Sequence, residues 1–473
     1  MAQTDHNDPA TSGLVAGGTA GSSTTTGTAT PTVASTTRAT QLSPQTDKRT
    51  VFAWGLWDWG SAAFNAVLVT FIFSVYLTDS VGKNIDSAIL PSSWYGYAMG
   101  AAGIGIALIA PVVGQRTDAR GTRKRSVILW TLITVALMVS LFGIRNDDAI
   151  YFWVGITIMA VASLTFEFAE VSYFAMLRQV STPDNIGRVS GFGWSMGYFG
   201  GIILLLLCYF GFVAGDGGLL NLNTDGGFNL RLVAVFAAVW FIVSSIPLFF
   251  RIREIEANPA LQSSGIVDSY RQLFGSIAEL WRTDRSAVFF LIASAIFRDG
   301  LAGVFTFGAL LAVMDYGISA SDVILFGVAA NVVSALGALG SGFLDDAFGP
   351  KPVILGSLIL MILDAAILYF VDGPTNFWIF GLILCLFVGP AQSASRTFLT
   401  RISPEGREGQ MFGLYATTGR AVSWMAPIAF STFVAIIGTN RAGIWGIILV
   451  LAVGAAVLLF VRSPELAKKP TTR

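Results

Sequence analysis

From residue 52 onward the sequence is a succession of apolar stretches, each close to or beyond the length that crosses a bilayer. About 20 apolar residues at roughly 1.5 Å each span the hydrocarbon core. No water is at hand there for an open N–H or C=O, so such a segment must be a helix that satisfies its own backbone. The stretches lie at 52–77, 92–114, 126–144, 150–177, 190–213, 230–250, 287–314, 322–344, 352–371, 377–398, 411–437 and 442–461, which makes twelve crossings. Composition agrees: 54% of residues are hydrophobic and 12% charged, with a mean hydropathy of +0.67, where a water-soluble domain carries about twice that charge. The expected fold is an all-α polytopic membrane protein with the lipid bilayer as its first partner.

The charges between the stretches orient them. With the N-terminus inside, the inner loops hold Arg116, Arg120, Arg123, Lys124, Arg125, Arg178, Arg188, Arg251, Arg253, Arg271, Arg282, Arg285, Lys351, Arg401 and Arg407. The outer loops hold only Lys83, Arg145, Arg231 and Arg441. The positive-inside rule then puts both termini in the cytoplasm, with the plasma (inner) membrane as the expected location. Residues 1–47 are Thr, Ser, Gly and Ala with scattered Pro, a composition that cannot bury a core and is expected to be disordered. No basic flank leads into a cleavable apolar segment there, so no signal peptide is read and the tail is expected to stay inside. The longest later polar interruption, 251–286, separates a six-helix half at 48–250 from another at 287–462, with 463–473 as a short tail.

Several kinds of chemistry are excluded. The only histidine is His6, in the tail, and Cys208 and Cys385 each sit inside an apolar run as small core residues. No metal-ligand, nucleophile or phosphate-loop spacing occurs, so neither an enzyme nor a cofactor nor a metal site is expected.

An internal repeat supports the division into halves. After the second segment comes Gly114-Gln-Arg-Thr-Asp118-Ala-Arg-Gly121 with Arg123 beyond it, and after the eighth comes Gly342-Phe-Leu-Asp-Asp346-Ala-Phe-Gly349 with Lys351 beyond it. Glycine permits close helix approach, the aspartate caps or pairs at a helix end, and the cation stays inside, which suits a gating turn. Two copies at matching positions resemble the loop signature of the major facilitator superfamily. Trp57-Asp58-Trp59 with Ser61-Ala-Ala-Phe64 narrows the match. So do Gly187-Arg-Val-Ser-Gly-Phe-Gly-Trp194, Gly197-Tyr-Phe-Gly-Gly201, Asp299-Gly300, Gln392-Ser-Ala-Ser-Arg396, Pro404-Glu-Gly-Arg407, Phe412-Gly-Leu-Tyr415, Gly419-Arg420 and Pro427. These resemble the unknown-major-facilitator branch, which includes the fungal autophagy-related vacuolar amino-acid effluxer. The sequence departs from that pattern at Tyr173-Phe174 and Leu177-Arg178, where the branch tends to Asn after the Tyr and Pro after the Leu. The resemblance implies two pseudo-symmetric halves and a central path lined by helices 1, 4, 7 and 10.

Polar groups at membrane depth are the candidate site. In the first segment Trp54, Asp58, Ser61 and Asn65, spaced 4, 3 and 4, share one helical face. An intramembrane acid is a functional candidate, though Asp58 also lies shallow enough to cap or pair near the inner end. The fourth segment carries Glu167, Glu170, Phe174 and Arg178 on one stripe. This acid pair suits proton coupling, or alternatively a structural bond to Arg178 or to the first helix. Near mid-bilayer, Asp299 is expected to meet a cation or substrate amine, and Arg298 an acid of helix 1 or 4. Arg420 could hold a substrate carboxylate or lock two helices through backbone carbonyls. Gly389-Pro390 predicts a kink with Gln392, Ser395 and Arg396 below it. Most tryptophans, among them Trp54, Trp57, Trp59 and Trp194, read as packing or interfacial belt, while those near Asp58 could box a substrate ammonium. Asp364 fits none of these roles.

The sequence thus reads as a monomeric secondary transporter of a small polar solute, amino acids with efflux favoured, working by alternating access with proton coupling and without a nucleic-acid partner. A lipophilic-drug exporter and a non-transporting receptor or scaffold on the same fold are the alternatives.

Overall fold

A computed structural model describes residues 46–88, 91–257, 266–318 and 320–463. The expectations for the serine- and threonine-rich tail up to residue 45, and for 464–473, lie outside the described residues. Twelve helices are long and apolar enough to cross a membrane. In chain order they are α1 Lys48–Asn84, α2 Pro91–Arg120, α3 Arg123–Gly143, α4 Ala149–Ala175, α5 Ile186–Val213, α6 Asp225–Arg251, α7 Arg285–Met314, α8 Leu325–Phe348, α9 Pro350–Phe370, α10 Pro374–Ile402, α11 Glu408–Ile437 and α12 Asn440–Leu459. Among the described residues there is no β-strand. A further amphipathic helix, Ile266–Thr283, lies between the sixth and seventh spans.

Local chemistry sets the ends. Asp47 caps α1 by accepting from the Thr50 amide, and Asp284 caps α7 by accepting from that of Ala287. The repeated turn motif closes on Gly121 (φ 65°) and Gly349 (φ 88°), backbone angles that a side chain would strain. Several helices depart from simple rods, among them α1 and α11. In α1 the turns widen to π geometry over Ala63–Phe71 and again over Tyr76–Val81. In α11 the helix stops at Val422 and restarts at Met425.

Each half packs mainly on itself: α1 lies against α5 and α6, α3 against α4 and α6, α7 against α12, and α9 against α10 and α12. Two long antiparallel contacts, α2 with α11 and α5 with α8, join the halves. Both depend on missing side chains. A Cβ on Gly114 would collide with the Gly409 carbonyl, and one on Gly187 would stand 2.8 Å from the Gly342 carbonyl. Pro390 lies inside α10, which continues through it from Pro374 to Ile402. The Leu386 carbonyl four residues earlier, which Pro390 cannot bond, points at α8, where a Cβ on Gly337 would strike it.

Candidate functional site

The stripe of Glu167, Glu170 and Phe174 on α4, with Arg178 in the short helix Leu177–Val180 just beyond its end, faces the other half. At the end where α1 begins, Arg178 Nη1 lies 2.9 Å from Glu408 Oε1 at the start of α11. Arg178 Nη2 also donates to the carbonyls of Thr400 and Ser403. Inside that contact Arg123 is fully buried. It donates to Asp118 Oδ1 (2.8 Å), to the Ala175 carbonyl (3.1 Å) and to Glu408 Oε2 (2.5 Å). Asp118 Oδ2 accepts from the Gln410 amide across the junction. In the second copy of the motif, Asp346 accepts from the Gly187 amide (2.7 Å) and from Arg188 Nε (2.7 Å) at the start of α5. The motif aspartates therefore cap a helix of the opposite half. Lys351 was expected in a gating role, but it donates to the Leu459 and Val461 carbonyls at the end of α12, within its own half.

One layer deeper, Arg396 of α10 enters the first half. It donates to Asp58 Oδ2 (3.2 Å), Ser190 Oγ (3.0 Å) and the Ser190 carbonyl (2.5 Å). Tyr173 Oη donates to the same Asp58 oxygen at 2.9 Å. The Arg396 guanidinium lies over Trp54, Phe174 and Trp194. Asp58 is thus neither a helix cap nor a free acid, and the aromatic box expected beside it is present but holds an arginine of the protein. Asn65 separates from this face. The wider turns that begin at Ala63 change the register, leaving Asn65 exposed while Trp54, Asp58 and Ser61 are buried.

Midway through the bundle the acids and arginines face one another more openly. Arg420 is twelve residues into α11 and Arg298 thirteen into α7, about 18–20 Å from their starts. Arg420 Nη2 pairs with Glu167 at 2.9 Å, so it locks the helices through a carboxylate and not through backbone carbonyls. Arg298 stacks on Tyr415, with 3.8 Å to the ring centre, and donates to the Tyr415 carbonyl. It makes no ion pair with an acid of α1 or α4 among the described residues. Glu170, half-buried, lies in the field of Glu167, Asp58, Arg298 and Arg420 and holds no hydrogen bond or ion pair among the described residues. Gln392 accepts from Tyr198 Oη at 2.5 Å, tying α10 to α5. Asp299 meets neither a cation nor an open path. Its Oδ2 accepts from the Ala426 amide at 2.6 Å and caps the restarted part of α11. Asp364 is buried in α9, and its Oδ2 has no hydrogen-bond partner among the described residues; nothing in the structure explains it. Cys208 and Cys385 are buried free thiols.

Sequence reasoning placed Arg396 below the Gly389-Pro390 kink without giving it a role, and did not single out Tyr173, Ser190 or Glu408 as site residues. A signal existed for two of them. Gly187-x-x-x-Gly191 and Gly409-x-x-x-Gly413 are a second internal repeat, marking the two helix starts that receive the motif aspartates, and Ser190 and Glu408 adjoin it.

Twelve spanning helices in two six-helix halves, joined through paired loop motifs, define a transporter of the major facilitator superfamily. Solved structures share the fold: the proton:xylose symporter XylE (TM-score 0.67, 14% identity, 88% of this chain and 96% of that one) and FucP in its outward conformation (0.66, 14%, 88% and 98%). Within the superfamily the chain belongs to the vacuole effluxer Atg22-like family, which it matches over residues 177–468. It is similar to the MFS-type transporter YxiO of Bacillus subtilis, with 22% identity over 86% of this chain and 94% of that one. It is also similar to autophagy-related protein 22-1 of Aspergillus fumigatus, with 28% identity over 59% of this chain, and it spans about half the length of that fungal relative.

Proposed function

We infer that the protein moves a small zwitterion, an amino acid, out of the compartment bounded by the Arg-rich loops, with protons as the coupling ion. The observation that carries this reading is the opposition of Glu170 and Arg298. Glu170 has no bonded partner among the described residues, and Arg298 spends one donor on the Tyr415 carbonyl, so the two leave an acceptor and a fork of donors for an ammonium and a carboxylate. Glu167 and Arg420 add a second acid–arginine pair at the same depth. Such fixed charges suit a zwitterion better than a lipophilic drug. The family description, a vacuole effluxer, supports efflux. The end that joins the halves carries Arg116, Arg120, Arg123, Lys124, Arg125, Arg178 and Arg188; we place it on the cytoplasmic side of the plasma membrane with both termini, so that the structure is the outward-open state.

The test is uptake and counterflow of amino acids in proteoliposomes under an imposed pH gradient. Glu170→Gln is expected to abolish pH-driven flux while counterflow persists, and Arg298→Ala is expected to weaken binding of zwitterions. Unchanged transport in both variants would sink the assignment.

A further inference from the structure

The cage around Arg396 is built by one half of the protein and filled by the other. Trp54 and Asp58 come from α1, Phe174 from α4, and Ser190, Gly193 and Trp194 from α5, whereas Arg396 belongs to α10. The guanidinium carbon lies 4.9 Å from the ring centre of Trp54, 5.0 Å from that of Phe174 and 5.6 Å from that of Trp194. Gly193 supplies the room: a Cβ there would stand 2.8 Å from Arg396 Nη2 and from Asp58 Oδ2, and 2.7 Å from Trp54 Cζ3. A carboxylate, a carbonyl, a hydroxyl and three π faces converge on one point, and each favours a cation.

The cage is held together without Arg396. Tyr173 Oη donates to Asp58 Oδ2 and to the Trp54 carbonyl, and its ring stacks on that of Trp54 at 4.7 Å. Alternating access parts the halves at the end where they now meet. That motion carries Arg396 away with α10 and leaves the cage behind, with a buried carboxylate short of its counter-charge.

We propose that this cage is a second solute site, used when the closed end opens, and that it takes the cationic head group of a solute, a guanidinium or primary ammonium, in the place Arg396 holds here. Arg396 then acts as an internal competitor: as the halves close it re-enters the cage and expels the bound cation. Phe174 follows Glu170 by one turn of α4, so a solute leaving Glu170 towards the closed end meets the cage next. The proposal rests on alternating access of the two halves and not on which solute binds at Glu170.

The test uses the purified full chain, with ethylguanidinium as probe and ethylurea as its neutral counterpart. In Arg396→Ala, ethylguanidinium is expected to raise the melting temperature saturably and to perturb tryptophan fluorescence, while ethylurea does neither. Adding Asp58→Asn should weaken the response by about tenfold or more, the loss of one charge-assisted bond. A folded Arg396→Ala that ignores ethylguanidinium, or responds equally with Asp58→Asn, would overturn the proposal. If Arg396→Ala does not fold, Glu408→Ala/Asp346→Ala carries the test with the same arms, because it keeps Arg396 and removes two anchors of the closed end. Amino-acid flux measured in parallel separates the two readings: an ethylguanidinium response without zwitterion transport would leave the cage standing and remove the substrate assignment.

Discussion

The α2–α11 and α5–α8 junctions grow from copies of one motif, yet they close in different ways. At α2–α11 the cluster is buried and every strong group is used. Arg123 spans Asp118, Glu408 and the end of α4, while Arg178 seals Glu408 from outside. Two acids and two arginines balance there with exposures of 0–2% for Asp118, Arg123 and Glu408. At α5–α8 the bridging Arg188 is 49% exposed, and the neighbouring Arg401–Asp345 approach, at 3.5 Å, lies wholly within the second half. The difference follows from what adjoins the motif. Arg123 turns inward onto a glutamate at the first position of α11, whereas the matching start of α5 offers Ile186 and Lys351 turns to its own half. A shared motif fixes where two halves touch; the residues around it decide how hard they hold.

The widest separation between the junctions comes from removing each bridge. Arg123→Ala strands the buried Asp118 carboxylate and leaves Glu408 with Arg178 alone, and breaking such a buried cluster costs about 3–5 kcal/mol. Amide exchange over 408–413, which includes the Gln410 amide bonded to Asp118, is expected to accelerate on the order of a hundredfold or more, with a fall in melting temperature. Asp346→Ala removes a cap from the start of α5 and a half-exposed ion pair, a loss of about 1 kcal/mol. Exchange over 187–190 should rise by roughly tenfold, with 408–413 little changed. Equal effects at the two sites would mean that burial does not set the strength of closure.

The same contrast marks what could be read from the chain beforehand. Helix number, the halves and the paired turns were legible because hydrophobic length and a repeated motif are local signals. The α4 stripe was legible as a face, since 3.6-residue periodicity places Glu167, Glu170, Phe174 and Arg178 together. Its partners were not. Arg420, Arg396 and Glu408 lie more than 200 residues away, and nothing local to Glu167 tells which arginine it meets. Asn65 was misplaced because periodicity assumes a uniform helix, and the π turns of α1 break that assumption. The aromatic box at Asp58 was anticipated in composition but not in content, because its cation comes from the other half.

The smallest expected effect bears on α11, which takes part in the buried junction at its start and breaks in its middle. Asp299 supports that break by accepting from the Ala426 amide, a bond made wholly within the second half. An asparagine keeps an acceptor oxygen in place and an alanine does not, so Asp299→Asn should cost a few tenths of a kcal/mol and Asp299→Ala about 1 kcal/mol, the usual range for a lost cap. pH-driven flux is expected to survive Asp299→Asn unchanged, in contrast to Glu170→Gln. A folded Asp299→Asn protein that loses pH-driven flux would return this carboxylate to the proton path. The cap would then be a resting state of a group that titrates during transport, and the break in α11 would move with the cycle instead of standing as a fixed feature of one half.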